Sequence, residues 1–355
     1  MTTVGIIANP VSARDIRRIV SHAGNLQITD RANILLRILA GLAATGVSQV
    51  VMMPENAGIY GHLRRGLDRA ANAGEARFPA LQLLDMRVCG DASDSATAAR
   101  MMRKMNVGAI IVLGGDGTHR VVVSEAGDIP IAGVSTGTNN AFPEMREPTI
   151  TGLAVGLAVT SAVPAGVALV GNKRLDVAIN DRHEIALVDI AIVRERFVGS
   201  RAIWKADSFR ELFVAFAEPG SIGLSSIVGL VAPVKRSSPF GRRVIFDDPS
   251  RADIRVAAPI APGLIEEIGI ARVETLDFDA PTALTVASGS IALDGEREIT
   301  FSERDRISVT LRESAFRTID VAACMSFAAS KGLFVHQSQI THWEVNDEQE
   351  SISAG

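Results

Sequence analysis

Short apolar runs alternate with amphipathic stretches through the first 140 residues. Thr3–Ala8 (TVGIIA), Val47–Met53, Leu81–Val88, Ala109–Leu113 (AIIVL) and Ile131–Val134 read as strands. AIIVL, apolar throughout, has the character of a central parallel strand buried on both faces. Between these runs, helices are expected from Asp30, as the cap, to Leu42, over Gly58–Ala71, from Ser93 to Met105, and from near Thr118. In the first of them Ile34, Leu35, Ile38 and Leu39 form one stripe. This alternation predicts a parallel sheet with helices on both faces.

Beyond residue 170 the pattern changes. Arg174–Ile179 and Glu184–Val193 flank the polar turn Asn180-Asp181-Arg182-His183 and predict a hairpin. Further short strands are expected at Leu212–Ala217, Arg243–Phe246, Asp253–Ala257, Ala283–Ala287 and Arg306–Leu311, as in a β-rich, sandwich-like domain. The expected fold class is therefore α/β plus all-β. Residues 1–145 form the phosphate-binding α/β domain and 146–320 the β-rich nucleotide and acceptor domain. Residues 321–343 return to the first domain, and 344–355 are a flexible acidic tail.

The uncharged stretch Thr149–Gly171 is long enough to cross a bilayer, but it holds Pro164, Gly152, Gly156, Gly166 and few large side chains. A small-residue helix over about 150–161, a turn and a buried strand fit it better. The opening residues lack the basic region and cleavage site of a secretory leader. Two cysteines cannot staple a secreted scaffold, so a reducing, cytoplasmic setting is expected. The formal charge of −4 and the lack of any long basic run exclude a nucleic-acid binder working through a general basic field.

Candidate chemistry concentrates in three loops. Gly114-Gly115-Asp116-Gly117-Thr118 follows AIIVL and precedes a helix, where glycine amides and a helix N-terminus can receive a phosphate. It is neither a Walker loop nor a Rossmann fingerprint. Asp116 is the anomaly, because a carboxylate about 4 Å from a phosphate charge is repelled by roughly 4 kcal/mol at an effective dielectric near 20. Either a metal offsets it or it accepts the proton of an attacking hydroxyl; a plain helix cap would use the same residue. Ser135-Thr136-Gly137-Thr138-Asn139-Asn140 lies after the next strand, where open α/β sheets bind ligands. Asp294-Gly295-Glu296 sits in the β half and also reads as a hairpin turn. The histidines show no metal-ligand spacing; His119 follows the phosphate loop and could assist there, but reads equally as a surface residue. Arg120 and the pairs Lys235-Arg236 and Arg242-Arg243 could meet ATP phosphates, but read better as solvated loop charges.

GGDGT, a GTNN loop and a later DGE together resemble the superfamily of NAD kinases, diacylglycerol kinases and sphingosine kinases, from Gly5 to about Glu298. The run Asn9–Arg18 (NPVSARDIRR) and the loop STGTNNAFP narrow the resemblance to an NAD kinase-like branch linked to acetoin catabolism. The resemblance implies ATP and Mg²⁺ as cofactors, NAD as acceptor and Asp116 as the catalytic base. It implies Gly114, Gly115, Gly117 and Thr118 near the phosphates, and Thr138, Asn139 and Asn140 in the nucleotide turn. Gly220 and Ser221 match the family's PTGSTAYS segment, and Asp294, Gly295 and Glu296 its late nucleotide motif. Asp189 keeps the carboxylate of the family's Asn-Glu pair, whereas Val188 replaces the amide. Small-molecule nucleotides are the expected partners of a homo-oligomer, dimer or tetramer. Lipid, sugar or small-metabolite kinases, and an inactive nucleotide-binding regulator, are the alternatives.

Overall fold

The computed structural model describes residues 2–10, 26–74, 78–137, 140–194, 208–295 and 297–335, with backbone only for 297 and 298. Thr138, Asn139, Glu296, the run 11–18 and the segment 336–355 lie outside the described residues.

The first half alternates as the pattern predicts. Strands β1 (Thr3–Ala8), β2 (Gln49–Met52), β3 (Ala80–Leu83), β4 (Ala109–Gly114) and β5 (Ile131–Ser135) are joined by helices α1 (Ile28–Ala44), α2 (Ile59–Asn72), α3 (Ala92–Lys104) and α4 (Asp116–Ala126). Helices α5 (Pro148–Val159) and α6 (Ala165–Ala168) follow. Then come β6 (Leu169–Ile179), β7 (Arg182–Ala186), β8 (Asp189–Val193), β9 (Phe209–Val214), α7 (Ser225–Val231), β10 (Gly241–Asp247), β11 (Ile254–Ala261) and β12 (Leu264–Leu276). The chain continues through β13 (Thr282–Ala283), β14 (Gly289–Leu293), β15 (Arg297–Phe301), β16 (Ile307–Ile319) and α8 (Val321–Ser330).

One sheet has the order β3-β2-β1-β4-β5-β16-β6-β7, with β13 on β16; the other runs β11-β12-β10-β9-β8-β14-β15. Strands β1 to β5 are parallel, whereas the second sheet is antiparallel throughout. β4 is buried along its whole length. Ile110 and Val112 enter one core cluster, and Ala109, Ile111 and Leu113 the other, as a strand covered on both faces requires. The first cluster continues into Leu187, Ile190, Phe213 and Leu293 between the two sheets. Helix α7 covers the far face of the second sheet through Ile227 and Val228.

The uncharged stretch is a helix because its small residues permit close packing. A Cβ on Gly152 would lie 2.3 Å from the Ile38 carbonyl oxygen, and one on Gly41 2.5 Å from that of Thr149. α1 and α5 thus meet backbone to backbone. Leu35, Ile38, Leu39 and Leu42 are buried in the same layer, each contributing roughly 1.5–3 kcal/mol. No helix among the described residues is long and apolar enough to cross a membrane.

Several expectations change. Asp30 is not the cap of α1: Gln27 is, and Asp30, three residues on, accepts from the Gln27 backbone N–H at 3.1 Å. The expected strand Glu184–Val193 breaks at Leu187-Val188, with β7 in the first sheet and β8 in the second. Residue 145 is no boundary between sheets, since β6, β7 and β16 extend the first one. β16 also returns, parallel to β5 and antiparallel to β6, while α8 packs into the core of the first domain through Val321, Cys324 and Ala328. β12, β14, β15, α7 and α8 are additions to the expected set.

Candidate active site

In the order β3-β2-β1-β4-β5, the chain moves outward from β1 to β3 and then restarts on the other side of β1 at β4. The crevice beyond the carboxyl ends of such strands is where open α/β sheets bind ligands. Gly114 pairs with Ser135, so the loops after β4 and β5 leave the sheet side by side.

Helix α4 starts at Asp116, two residues earlier than expected, with Gly115 as its N-cap. A carboxylate in a first turn is favoured by the helix dipole. Asp116 is 5% exposed, and its two oxygens accept from the backbone N–H groups of Ala141, at 3.0 Å, and Phe142, at 2.8 Å. The glycines before it are set by close approach. A Cβ on Gly115 would sit 2.6 Å from Asn140 Oδ1, and one on Gly114 would sit 2.7 Å from Thr118 Cβ. The second loop closes where the Ser135 N–H donates to Glu144 O at 3.2 Å. Inside it, Asn140 Nδ2 donates to Ser135 Oγ at 2.9 Å.

Arg236 grips the same loop from the β half. Its Nη2 donates to the carbonyls of Ala141, at 2.7 Å, and Phe142, at 2.8 Å, and its guanidinium lies 4.2 Å from the Phe216 ring centroid. Burial lowers its affinity for the proton, opposed by Glu144, Glu218 and Asp116. It is therefore not a solvated loop charge. Its burial was not legible in the sequence, because a Lys-Arg-Ser-Ser-Pro run has no periodicity that marks a buried cation.

His119 is buried, not a surface residue. Its Nδ1 lies 2.8 Å from Gly115 O and is assigned as the protonated nitrogen, since a carbonyl can only accept. Nε2 makes no hydrogen bond among the described residues, and burial pulls the ring's pKa down to about 4.

Arg120 is also buried. It donates to Leu293 O and stands 3.8 Å from Asp294, joining α4 to the β half. Asp294 and Gly295 both have positive φ, as an Asp-Gly hairpin turn requires. The Asp294 carboxylate accepts from the N–H groups of Leu187 at 3.0 Å, Val188 at 2.8 Å and Asp189 at 3.3 Å, where the chain crosses between sheets. Burial pushes its pKa up, and Arg120 and these amides oppose the shift. Asp189 is buried beside it. Arg243, expected in solvent, is buried against Glu211 at 2.6 Å.

A crevice of about 430 Å³ opens between the second loop and the Pro219–Ile222 segment. Asn140, Gly220 and Ser221 line it, with Ser135, Glu144, Glu218 and Arg236. A larger cavity of about 730 Å³ lies beside it and shares Glu144, Glu218 and Arg236 with it. The expected residues thus fall into two groups. Asn140, Gly220 and Ser221 line the crevice, Asp116 is joined to its wall through the amides of Ala141 and Phe142, and the carboxylates of Asp189 and Asp294 are packed inside the protein.

A glycine-rich loop after the central strand of such a sheet, with an antiparallel sheet behind it, defines an NAD kinase-like protein. The ATP-NAD kinase N-terminal domain matches residues 4–158. Residues 173–314 match the acetoin catabolism protein X C-terminal domain. Over 330 residues, 92% of each chain, the sequence is 51% identical to acetoin catabolism protein X of Cupriavidus necator, and the chain belongs to that family.

Proposed function

We propose that the protein transfers a phosphoryl group from ATP to a hydroxyl of a small nucleotide, with NAD as the first acceptor to test. The observation that carries this reading is the carboxylate of Asp116, buried at the start of α4 and tied by both oxygens to the neighbouring ligand loop. Phosphates would lie over the amides of Gly114–Thr118 at the helix N-terminus. Asn140, Gly220 and Ser221, with Thr138 and Asn139 of the same loop, would hold the nucleotide. Asp116 would receive the acceptor hydroxyl as a hydrogen-bond acceptor. Its amide donors stabilise its charge, which suits orienting the hydroxyl and taking its proton late. Positioning does most of the work in phosphoryl transfer.

Mg²⁺ usually binds through one or two carboxylates together with substrate phosphates. Glu144 and Glu218, which line the crevice, fit that role and would hold the ion as it enters with the nucleotide. It would supply charge neutralisation to the phosphates. NAD would have to be recognised without the amide that Val188 replaces. A role beside acetoin breakdown, in the cytoplasm and as a homo-oligomer, is part of the same reading; it draws on the relative's name.

The decisive experiment is incubation with ATP, Mg²⁺ and a panel of NAD, NADH, diacylglycerol and small hydroxylated metabolites, read by mass shift. Phosphorylated NAD supports the reading, and transfer to diacylglycerol alone replaces it with a lipid kinase. The buried carboxylates of Asp189 and Asp294 favour a second reading, a nucleotide-binding regulator. Nucleotide binding without any transfer would establish that one.

A further inference from the structure

We propose that Arg236 is the phosphate-binding cation of the crevice, presenting its Nε and Nη1 donors to the phosphates of the bound nucleotide. The proposal rests on the reading above only in taking the crevice as the nucleotide's place.

Among the described residues lining the crevice, Arg236 is the one cation, facing Glu144 and Glu218. A phosphate about 4 Å from either carboxylate would be repelled by roughly 4 kcal/mol at an effective dielectric near 20, so a fixed cation beside any Mg²⁺ they hold, and beside the Arg146 paired with Glu144, favours an anion there. The guanidinium is held before any ligand arrives. Nη2 is engaged by the Ala141 and Phe142 carbonyls, and the group lies over the rings of Phe216 at 4.2 Å and Phe142 at 5.3 Å. The loop carrying it is fixed from below. Lys173 Nζ donates to the carbonyls of Lys235 at 3.2 Å, Ser238 at 2.9 Å and Phe240 at 2.7 Å.

Arginine has five N–H donors in a rigid fork. The two on Nη2 are engaged. Nε and Nη1 make no hydrogen bond with described residues, and neither is enclosed as a buried orphan atom. That leaves three donors, on Nε and Nη1, each able to make a charge-assisted hydrogen bond to a phosphate oxygen. Arg236 also walls off the larger cavity, so a phosphate held here has room for a second group on its far side.

The test is calorimetric binding of inorganic pyrophosphate, ADP and adenosine to the full chain and to Arg236→Met, which keeps the apolar stem. Loss of the charge-assisted bonds should weaken pyrophosphate and ADP by about 10- to 100-fold, with adenosine unchanged within about twofold. Equal pyrophosphate affinity in both proteins overturns the assignment. So does equal weakening of ADP and adenosine, which would mean that Arg236 acts by holding the 141–142 peptides. No binding of pyrophosphate or ADP by the unmodified protein also overturns it. If Arg236→Met does not fold, Arg236→Lys decides: weaker pyrophosphate with intact adenosine affinity upholds the role, and unchanged affinity rejects it. Pyrophosphate bound through Arg236 without any ADP binding upholds this role and removes the kinase reading. ADP bound tightly but independently of Arg236 does the reverse.

Discussion

Asp116 and Arg236 hold the backbone of the same two residues, Ala141 and Phe142. The carboxylate takes the N–H groups of Ala141 and Phe142, and the guanidinium takes their carbonyls. One residue comes from the α/β half and the other from the β half, so the loop between them fastens the halves together, as Arg120 does at Leu293 and Asp294. Phe142, buried against His119 and Phe316, anchors that loop in the core.

Replacing Asp116 therefore reaches stability as well as chemistry. In Asp116→Asn one oxygen can still serve an amide, while the new NH₂ opposes the other. Phosphoryl transfer should vanish, and stability should fall by about 1–3 kcal/mol, the range for an unsatisfied buried donor. Urea denaturation beside the transfer assay checks both. Wild-type turnover in a stable variant would remove Asp116 from the mechanism.

Asp294 should matter more to folding than to binding. Asp294→Ala strands the amides of Leu187, Val188 and Asp189 and leaves Arg120 without its buried partner. A loss of about 3 kcal/mol or more is expected. A thermal midpoint within a few degrees of wild type would contradict this.

His119 makes stability sensitive to acid. Its ring is held neutral, with a pKa of about 4 in the folded protein against about 6.5 when unfolded. Between those values the unfolded chain binds more protons. Stability is thus complete above pH 6.5 and falls as pH drops toward 4, by up to roughly 3 kcal/mol. Denaturant titrations of wild type and His119→Phe at pH 7 and pH 5 should show a smaller acid loss in the variant.

Two glycines with opposite surroundings give a packing test. Gly152→Ala drives a methyl into the Ile38 backbone and should destabilise by about 1–3 kcal/mol, the usual range for overpacking. Gly61, inside α2 with nothing within 4 Å of where a methyl would sit, should gain up to about 1 kcal/mol as alanine. Thermal midpoints of the two variants should move in opposite directions.

The alternation of apolar runs made the parallel sheet legible, and GGDGT announced its loop by position alone. The β half was harder. β12, Leu264–Leu276, carries four acidic or basic residues before its end, so its burial alternates irregularly and hid a long strand. The break at Leu187-Val188 falls within an apolar run. It depends on a carboxylate more than 100 residues away, which no local pattern contains. Arg120 and Arg236 read as solvent-facing because their partners are carbonyls and rings distant in sequence. Helix α8, rich in Ala and Ser, gives little amphipathic contrast to read.

Strand β16 occupies the gap between β5 and β6, although among the described strands it is the last to leave the ribosome. Until about residue 319 has emerged, the parallel strands face an open edge and the β6–β7 ribbon lacks its neighbour. Closure of the first sheet must therefore wait for nearly the whole chain. A protein stopped shortly before β16 would expose unpaired backbone to its neighbours, a route to aggregation during synthesis.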